Sequence, residues 1–148
     1  MRVEIVGCDT VYGNSANLEP YRGRLNGAAG SAWKPIYDFI GQWLQVDLVE
    51  MKRVMGTIIQ GRLDNDPEWV TSYKLQYSTD RISWTTYAGS DGSETVFQGN
   101  FESSIPVTNL LNNSVDARYL RFVVQSWHNH IAMRAEIVGC DTSRFYFG

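Results

Sequence analysis

Two short polar segments hold the side chains best suited to acid–base or metal chemistry. His128 and His130, the only histidines, flank Asn129, and an imidazole can serve as a general base or a metal ligand. No H-E-x-x-H, G-x-S-x-G or Gly-rich phosphate motif accompanies them, so we expect neither catalysis nor a cofactor. The segment Asp64–Asp66 offers fewer oxygen ligands than the roughly six that Ca²⁺ needs. We expect an ordinary acidic turn there, without a metal.

The two cysteines, Cys8 and Cys140, lie within nearly identical segments at opposite ends of the chain. Met1–Thr10 reads MRVEIVGCDT and Met133–Thr142 reads MRAEIVGCDT, which agree at nine of ten positions. Two such strands lying side by side could bring the cysteines within bonding distance. A disulfide that closes so long a loop would stabilise the fold by about 4–5 kcal/mol in the chain-entropy estimate. We therefore expect a Cys8–Cys140 disulfide.

The repeated segment also has a second explanation. In a tandem array the end of one unit adjoins the start of the next, so Met1–Cys8 could be a strand duplicated from a neighbouring unit. We treat residues 1–148 as one domain, because a chain of 148 residues is long enough to bury a single core.

The overall composition limits the class of function. A hydrophobic content of 43% with 20% charged residues is ordinary for a globular domain. The net charge of −3 argues against nucleic-acid binding, which requires clustered Lys and Arg to neutralise phosphates.

Alternating apolar and polar residues predict the elements that must position these groups. Patterns typical of half-buried strands cover Trp43–Leu48, Val70–Ser78, Ala117–Gln125 and Ile131–Val138. Shorter strands are expected at Val54–Gln60, Ser83–Tyr87 and Thr95–Gln98, with turns at Gly27–Ser31, Asp64–Pro67, Ser90–Ser93 and Leu111–Ser114. Many short strands separated by turns, without a long amphipathic helix, predict an all-β sandwich or barrel.

The order and residues of these segments resemble the coagulation factor V/VIII type C domain, also called the discoidin domain. The similar segments are Arg24–Asn26, Ala32-Trp33, Gln42–Leu48, Ile58–Gly61, Val70–Ser78, Phe97–Asn100, Ala117–Arg121, Trp127-His128, Ile131–Arg134 and Gly139-Cys140. The resemblance implies a distorted jelly-roll β-barrel or sandwich of about eight antiparallel strands. It also implies an extracellular location, no catalysis and a terminal disulfide.

In this family, ligands meet the loops at one end of the barrel. The resemblance places these loops at Asp9–Tyr21, Lys34–Gly41 and Arg62–Glu68. The positions near the family's apolar loop tips are Val11 and Tyr12 in the first loop and Leu63 in the third.

The second loop is the most informative of the three. Ile36–Ile40 places large apolar or amphipathic residues between Pro35 and Gly41, where a turn would normally be polar. Such residues indicate membrane insertion or a partner pocket, and we predict contacts by Tyr37, Phe39 and Ile40. The alternative is that Phe39 and Ile40 begin the next strand and are buried.

The charged and polar residues of the loops narrow the choice of ligand. Lys34 and Arg62 are predicted to bind anionic head groups or glycans, and Asp38 a basic partner group. Acidic residues outnumber them, which weakens the case for an anionic phospholipid. The groups that could bind a sugar are Tyr12, Tyr37, Arg62 and Asn65.

We therefore expect an extracellular, non-catalytic adhesion module that binds a cell-surface glycan, an anionic phospholipid membrane surface or an extracellular protein. The alternative is a structural spacer or oligomerisation unit, with tandem-domain or homo-oligomeric neighbours. Asn112 begins an Asn-Asn-Ser triplet, a glycosylation acceptor that we expect in an exposed loop.

Overall fold

The computed structural model describes residues 10–12 and 32–141, and these ranges contain strands and irregular segments. The strands are β1 (Thr10–Tyr12), β2 (Trp43–Gln60), β3 (Trp69–Ser78), β4 (Thr85–Thr86), β5 (Phe97–Gln98), β6 (Val107–His128) and β7 (Arg134–Asp141). Their order in the sheet is β1-β7-β2-β6-β3-β4, with β5 also paired to β3, and every pairing is antiparallel. The predicted all-β class is confirmed.

The two long strands, β2 and β6, contribute to both layers of the fold. The first half of β2, the second half of β6 and β3 form one layer, whereas the second half of β2, the first half of β6, β7 and β1 form the other. Trp43–Asp47 pairs with Tyr119–Val123, and the ladder resumes at Lys52 after an interruption. Val49 lies in this interruption with a left-handed φ of 73°, and its N–H donates to Asp47 Oδ1 at 2.8 Å. After the interruption, β2 has β6 on one side and β7 on the other. The second half of β6, which pairs with the first half of β2, has β3 on its other side. The pair thus passes from one layer of the sandwich into the other.

The core lies between the layers and follows the predicted alternation. The side chains buried on one face of β2 and β6 are Leu44, Val46, Leu48, Leu120, Phe122 and Val124. Burial of each large apolar side chain contributes about 1.5–3 kcal/mol. The two predicted strands Trp43–Leu48 and Val54–Gln60 are halves of the single strand β2.

Tyr73 of β3 has the largest side chain among the fully buried residues that the structure describes. Its ring centroid lies 5.3 Å from that of Phe97 and 5.5 Å from that of Phe122. Its hydroxyl lies 2.7 Å from Thr57 Oγ1 and accepts a hydrogen bond from Asn109 Nδ2 at 3.0 Å. Burial raises the pKa of Tyr73 to about 12, so the hydroxyl stays protonated and bonded.

A β-bulge in β3 changes which of its side chains face the core. Val70 and Tyr73 are both buried although three positions separate them, and the pairing with β6 shifts register on both sides of Ser72. A β-bulge adds a residue to one strand and turns the following side chains to the other face. The bulge therefore lets Tyr73 and Leu75 join the core that Val70 begins.

The turn predicted at Leu111–Ser114 is wrong, because these residues lie within β6. Val115 pairs with Val54 and Leu110 pairs with Gly56, so the four residues between them face a single residue of β2. Asn and Ser favour turns locally, but the ladder on both sides holds the segment in the strand as a large bulge.

Several boundaries also differ from those predicted. The strands expected at Ser83–Tyr87 and Thr95–Gln98 shorten to β4 and β5, and the last strand begins at Arg134 rather than Ile131. The turn predicted at Gly27–Ser31 lies outside the described residues.

Cys140 is fully buried in β7 and is disulfide-bonded. Its predicted partner, Cys8, lies outside the described residues, as does the rest of Met1–Cys8. β1 pairs with β7 so that Thr10 lies opposite Gly139, next to Cys140. Because Thr10 follows Cys8 by only two positions, this register supports the predicted pairing, which remains a prediction.

We predict that the unreduced protein shows no alkylation at either cysteine and yields one cross-linked peptide joining Cys8 to Cys140. Reduction should lower the free energy of unfolding by roughly 4 kcal/mol, measured by urea denaturation. A Cys8→Ser/Cys140→Ser variant is the control, since reductant should not change its stability further. Free thiols, or a disulfide between two chains, would contradict the pairing.

Candidate functional site

Three segments meet at one end of the sandwich. We call them the apolar loop (Lys34–Gly41, before β2), the acidic loop (Arg62–Glu68, between β2 and β3) and the β6–β7 turn (Asn129–Met133). Backbone hydrogen bonds of 2.9 and 3.0 Å join Trp33 to Met133, and Lys34 Nζ lies 2.7 Å from a carboxylate oxygen of Glu68. The second and third predicted ligand loops are thus brought together.

The apolar loop exposes its large side chains to solvent. The exposed fractions are 90% for Ile36, 72% for Tyr37, 54% for Phe39 and 66% for Ile40, and Leu63 of the acidic loop is 50% exposed. The alternative in which Phe39 and Ile40 begin the next strand is therefore wrong.

A turn before β2 explains this exposure. The N–H of Gln42 donates to the Phe39 carbonyl at 3.3 Å, and Gly41 has a φ of 99°, which favours glycine. The chain thus turns after Ile40, and β2 starts only at Trp43.

Hydrogen bonds to its surroundings hold the apolar loop in place. Asp38 accepts from the backbone N–H of Ile131 at 3.0 Å, and its other oxygen lies 2.7 Å from His130 Nδ1. A carboxylate only accepts, so Nδ1 carries the proton. Gln42 Nε2 donates to the Tyr37 carbonyl at 2.7 Å, and the N–H of Gly41 donates to the Val124 carbonyl at 2.9 Å. The loop is therefore fixed in its middle and at its end.

Asp38 was predicted to receive a basic group of a partner, but it bonds within its own chain. Burial acts to raise its pKa, yet the hydrogen bonds from His130 and Ile131 outweigh burial and hold the pKa below its usual value. The carboxylate is thus ionised at neutral pH and positions the loop.

Both cations predicted to bind anions are paired with carboxylates. Besides the Lys34–Glu68 pair, Arg62 lies 2.6 Å from Asp64 and 3.6 Å from Glu68. The apolar and acidic loops together carry these two cations against four carboxylates, since Asp38 and Asp66 add to Asp64 and Glu68. These two loops therefore offer no excess positive charge to an anionic surface.

The other residues predicted to bind a ligand lie partly in a strand and partly in a loop. Val11 and Tyr12 lie in β1 opposite Val138 and Ile137, not in a loop, because their backbone pairs with β7. The rest of Asp9–Tyr21 lies outside the described residues. Asn65 is exposed in the acidic loop, where its N–H donates to Asp64 Oδ1 at 2.7 Å.

Asn112, the predicted glycosylation site, is exposed as expected but lies in the bulge of β6 rather than in a loop. The continuous ladder on either side of the bulge is the reason for this difference.

Sequence reasoning missed the contribution of the β6–β7 turn. His130, considered above for catalysis, bonds to Asp38, and His128 stacks on Trp69 with ring centroids 4.1 Å apart. Asp38 and His130 are 92 positions apart, so no local pattern could have joined them.

A shallow groove of ≈ 230 Å³ is lined by Ile40 of the apolar loop and by Gln125, Ser126 and Trp127 of β6.

The described ranges hold no group of three or more His, Cys, Asp or Glu side chains that could bind a metal ion. In the same residues, no helix is long and apolar enough to cross a membrane.

A sequence profile described as the F5/8 type C domain matches residues 8–137. The chain belongs to this family. Retinoschisin of Takifugu rubripes is 43% identical over 82% of the chain and 44% of that protein, and retinoschisin of Mus musculus is 43% identical over 80% and 54%. Lactadherin of Rattus norvegicus is 40% identical over 82% of the chain and 29% of that protein. The chain thus spans about half or less of the length of these relatives.

Solved structures support the same fold. Discoidin II of Dictyostelium discoideum superposes with a TM-score of 0.71 at 26% identity, over 82% of this chain and 50% of that one. A family 32 CBM from C. perfringens NanJ, solved in complex with galactose, gives 0.58 at 16% identity, over 88% and 92%. The predicted F5/8 type C resemblance and jelly-roll fold are confirmed, and so is the predicted class of function, an adhesion and recognition module.

We predict that Asp38→Ala loosens the apolar loop of this F5/8 type C domain. Loss of both hydrogen bonds should lower the free energy of unfolding by about 1 kcal/mol and speed amide exchange in the loop. Asp66→Ala is the matched control, since that exposed carboxylate makes no hydrogen bond among the described residues.

The effect of Asp38→Ala should depend on pH. The lowered pKa stabilises the fold above the ordinary value of about 3.9, and this contribution is lost as the pH falls through the folded-state pKa. The free energies of unfolding of the wild type and of Asp38→Ala, measured as a function of pH, should therefore converge in acid. A difference that persists there would contradict the role assigned to the carboxylate.

Proposed function

We propose that this domain is an extracellular, non-catalytic adhesion module whose apolar loop inserts into the interfacial region of a phospholipid membrane. The observation that carries the proposal is the exposure of Ile36, Tyr37, Phe39 and Ile40 on one fixed loop, beside Leu63. Soluble proteins rarely expose contiguous apolar surface of this kind unless it binds a membrane or another molecule.

The energetics favour insertion. Removing apolar surface from water contributes roughly 25 cal/mol per Å², so each of these side chains would contribute on the order of 1 kcal/mol or more. The loop is already held by Asp38, Gly41 and Gln42, so little conformational entropy is lost on binding.

The charge pattern refines the predicted lipid. A basic residue near an anionic membrane contributes about 1 kcal/mol, but Lys34 and Arg62 are paired, and Asp64 and Asp66 would be repelled. We therefore propose that zwitterionic phospholipid is sufficient and that anionic lipid adds little.

An extracellular location is part of the proposal. The disulfide at Cys140 persists in oxidising compartments, and the glycosylation acceptor Asn112 is exposed.

A cell-surface glycan is the second candidate ligand. The groove beside Ile40 favours it, because Gln125 and Ser126 supply polar groups next to the indole of Trp127. The galactose complex of the family 32 CBM shares the fold alone, so it supports this candidate only by analogy.

We predict that Ile36→Asp reduces co-sedimentation with phosphatidylcholine vesicles by about tenfold, because a charge replaces an inserting apolar group. Ile82→Asp is the matched control: Ile82 is 84% exposed, close to the 90% of Ile36, but it lies at the opposite end of the fold, between β3 and β4. Both variants should keep the wild-type melting temperature.

Vesicles that contain phosphatidylserine, and buffers of higher salt, should change this binding little. A strict requirement for phosphatidylserine would show that the charge argument is wrong. Equal binding by Ile36→Asp and Ile82→Asp, or no binding by the wild type, would overturn the membrane proposal, and a glycan array would then test the second candidate.

A further inference from the structure

We propose that Arg121, on the outer face of the sheet formed by β2, β6, β3 and β4, is a receptor for the carboxylate of an acidic glycan. The site is separate from the apolar loop and does not depend on membrane binding. Its geometry rests on one guanidinium held between two indole rings.

The guanidinium is clamped on both faces. Arg121 Cζ lies 4.0 Å from the ring centroid of Trp43, on β2, and 3.9 Å from that of Trp84, which precedes β4. Nε donates to Gln45 Oε1 at 3.1 Å. Cation–π contacts with two rings hold the plane of the group, so the side-chain ordering that a ligand would otherwise impose has already occurred.

The outer edge of this guanidinium remains open. Arg121 is half-buried, and its two Nη nitrogens donate no hydrogen bond within residues 32–141. Six other described cations are instead paired with carboxylates, namely Lys34, Lys52, Arg53, Arg62, Lys74 and Arg118. Of the remaining two, Arg134 donates to backbone carbonyls and Arg81 lies over the ring of Tyr119. Arg121 is thus a partly desolvated cation without an anionic partner in the described part of the chain.

The space at the Nη edge of Arg121, between the planes of the two indole rings, favours a planar anion. A carboxylate accepts two parallel hydrogen bonds from the Nη edge of a guanidinium and lies in its plane. Sulfate and phosphate carry oxygens above and below that plane, where the rings of Trp43 and Trp84 would restrict them. The geometry therefore favours a carboxylate over a tetrahedral anion.

The surroundings favour a saccharide as the carrier of that carboxylate. Gln45 and Gln76 are the cross-strand neighbours of Arg121, and Gln76 Nε2 donates to the hydroxyl of Thr86 at 3.3 Å. Amides and hydroxyls both donate and accept, as sugar hydroxyls do. Nearby, Lys74 on β3 is paired with Glu94 and Arg118 with Asp47, while Arg81 lies over the ring of Tyr119, so the face suits a single uronate or sialate more than an extended polyanion.

The test uses the indole N–H resonances of Trp43 and Trp84 as reporters in a titration followed by NMR. We expect them to shift with 3′-sialyllactose or with a glucuronate-terminated oligosaccharide, and not with lactose or the glucose-terminated counterpart. Comparison of the two acidic sugars distinguishes a sialate from a uronate ligand. The Ile36→Asp variant should respond as the wild type does, which separates this site from the apolar loop.

Gln45→Glu should reduce binding of the carboxylate ligand by giving Arg121 an anionic partner within the protein. This nearly isosteric change places a carboxylate against Arg121 and should weaken binding about tenfold or more, while keeping the stack and the fold. Gln98→Glu, the same charge change at an exposed position of β5, is the matched control. Arg121→Lys keeps the charge but loses the pair of Nη nitrogens that donates two parallel hydrogen bonds, and it should weaken binding similarly.

Four results would overturn the proposal. They are an equal response to neutral sugars, unchanged binding by Gln45→Glu, equal or tighter binding of sulfate or of an acidic peptide, and no shift with either acidic sugar.

Discussion

The interruption of the β2–β6 ladder between Asp47 and Lys52, where Val49 has a left-handed φ, is the constraint on which the arrangement of the molecule depends. Asp47 accepts hydrogen bonds from the N–H of Val49 and, at 3.0 and 3.3 Å, from the guanidinium of Arg118 across the ladder. Burial acts to raise the pKa of Asp47, but these bonds outweigh it and keep the pKa low, so the carboxylate stays ionised. Because β2 passes from one layer into the other here, the segments before Trp43 and after Gln60 reach the same end of the fold, where they form the apolar and acidic loops.

The contacts that order this end of the fold also determine its chemistry. Three of its four carboxylates are used inside the molecule: Asp38 holds the β6–β7 turn, Asp64 pairs with Arg62, and Glu68 binds Lys34. The cations are compensated by the same bonds, so long-range attraction for an anionic surface is small. What remains in excess is apolar surface, which water does not stabilise. If this end binds a ligand as proposed, shape and apolar contact contribute more to its selection than net charge does.

The sequence predicted the features that depend on short-range periodicity. Alternation in Trp43–Leu48 and Ala117–Gln125 located the core faces, because burial of one face imposes a period of two. Leu111–Ser114 was misassigned since its composition is that of a turn, and only the paired residues on either side reveal a bulge. The bond from His130 to Asp38 joins segments 92 positions apart, and no local pattern encodes it.

Arg134 and Arg121 are two guanidiniums whose pKa is lowered by burial, but they differ in what they bind. Arg134 is buried and donates to the carbonyls of Gly61 at 2.7 Å and Ser103 at 3.4 Å, so it joins two loops to β7. Arg121, however, is stabilised mainly on its faces by Trp43 and Trp84, and its Nη nitrogens donate no hydrogen bond within the described residues. A group whose position is set by its faces keeps its edge for an external ligand.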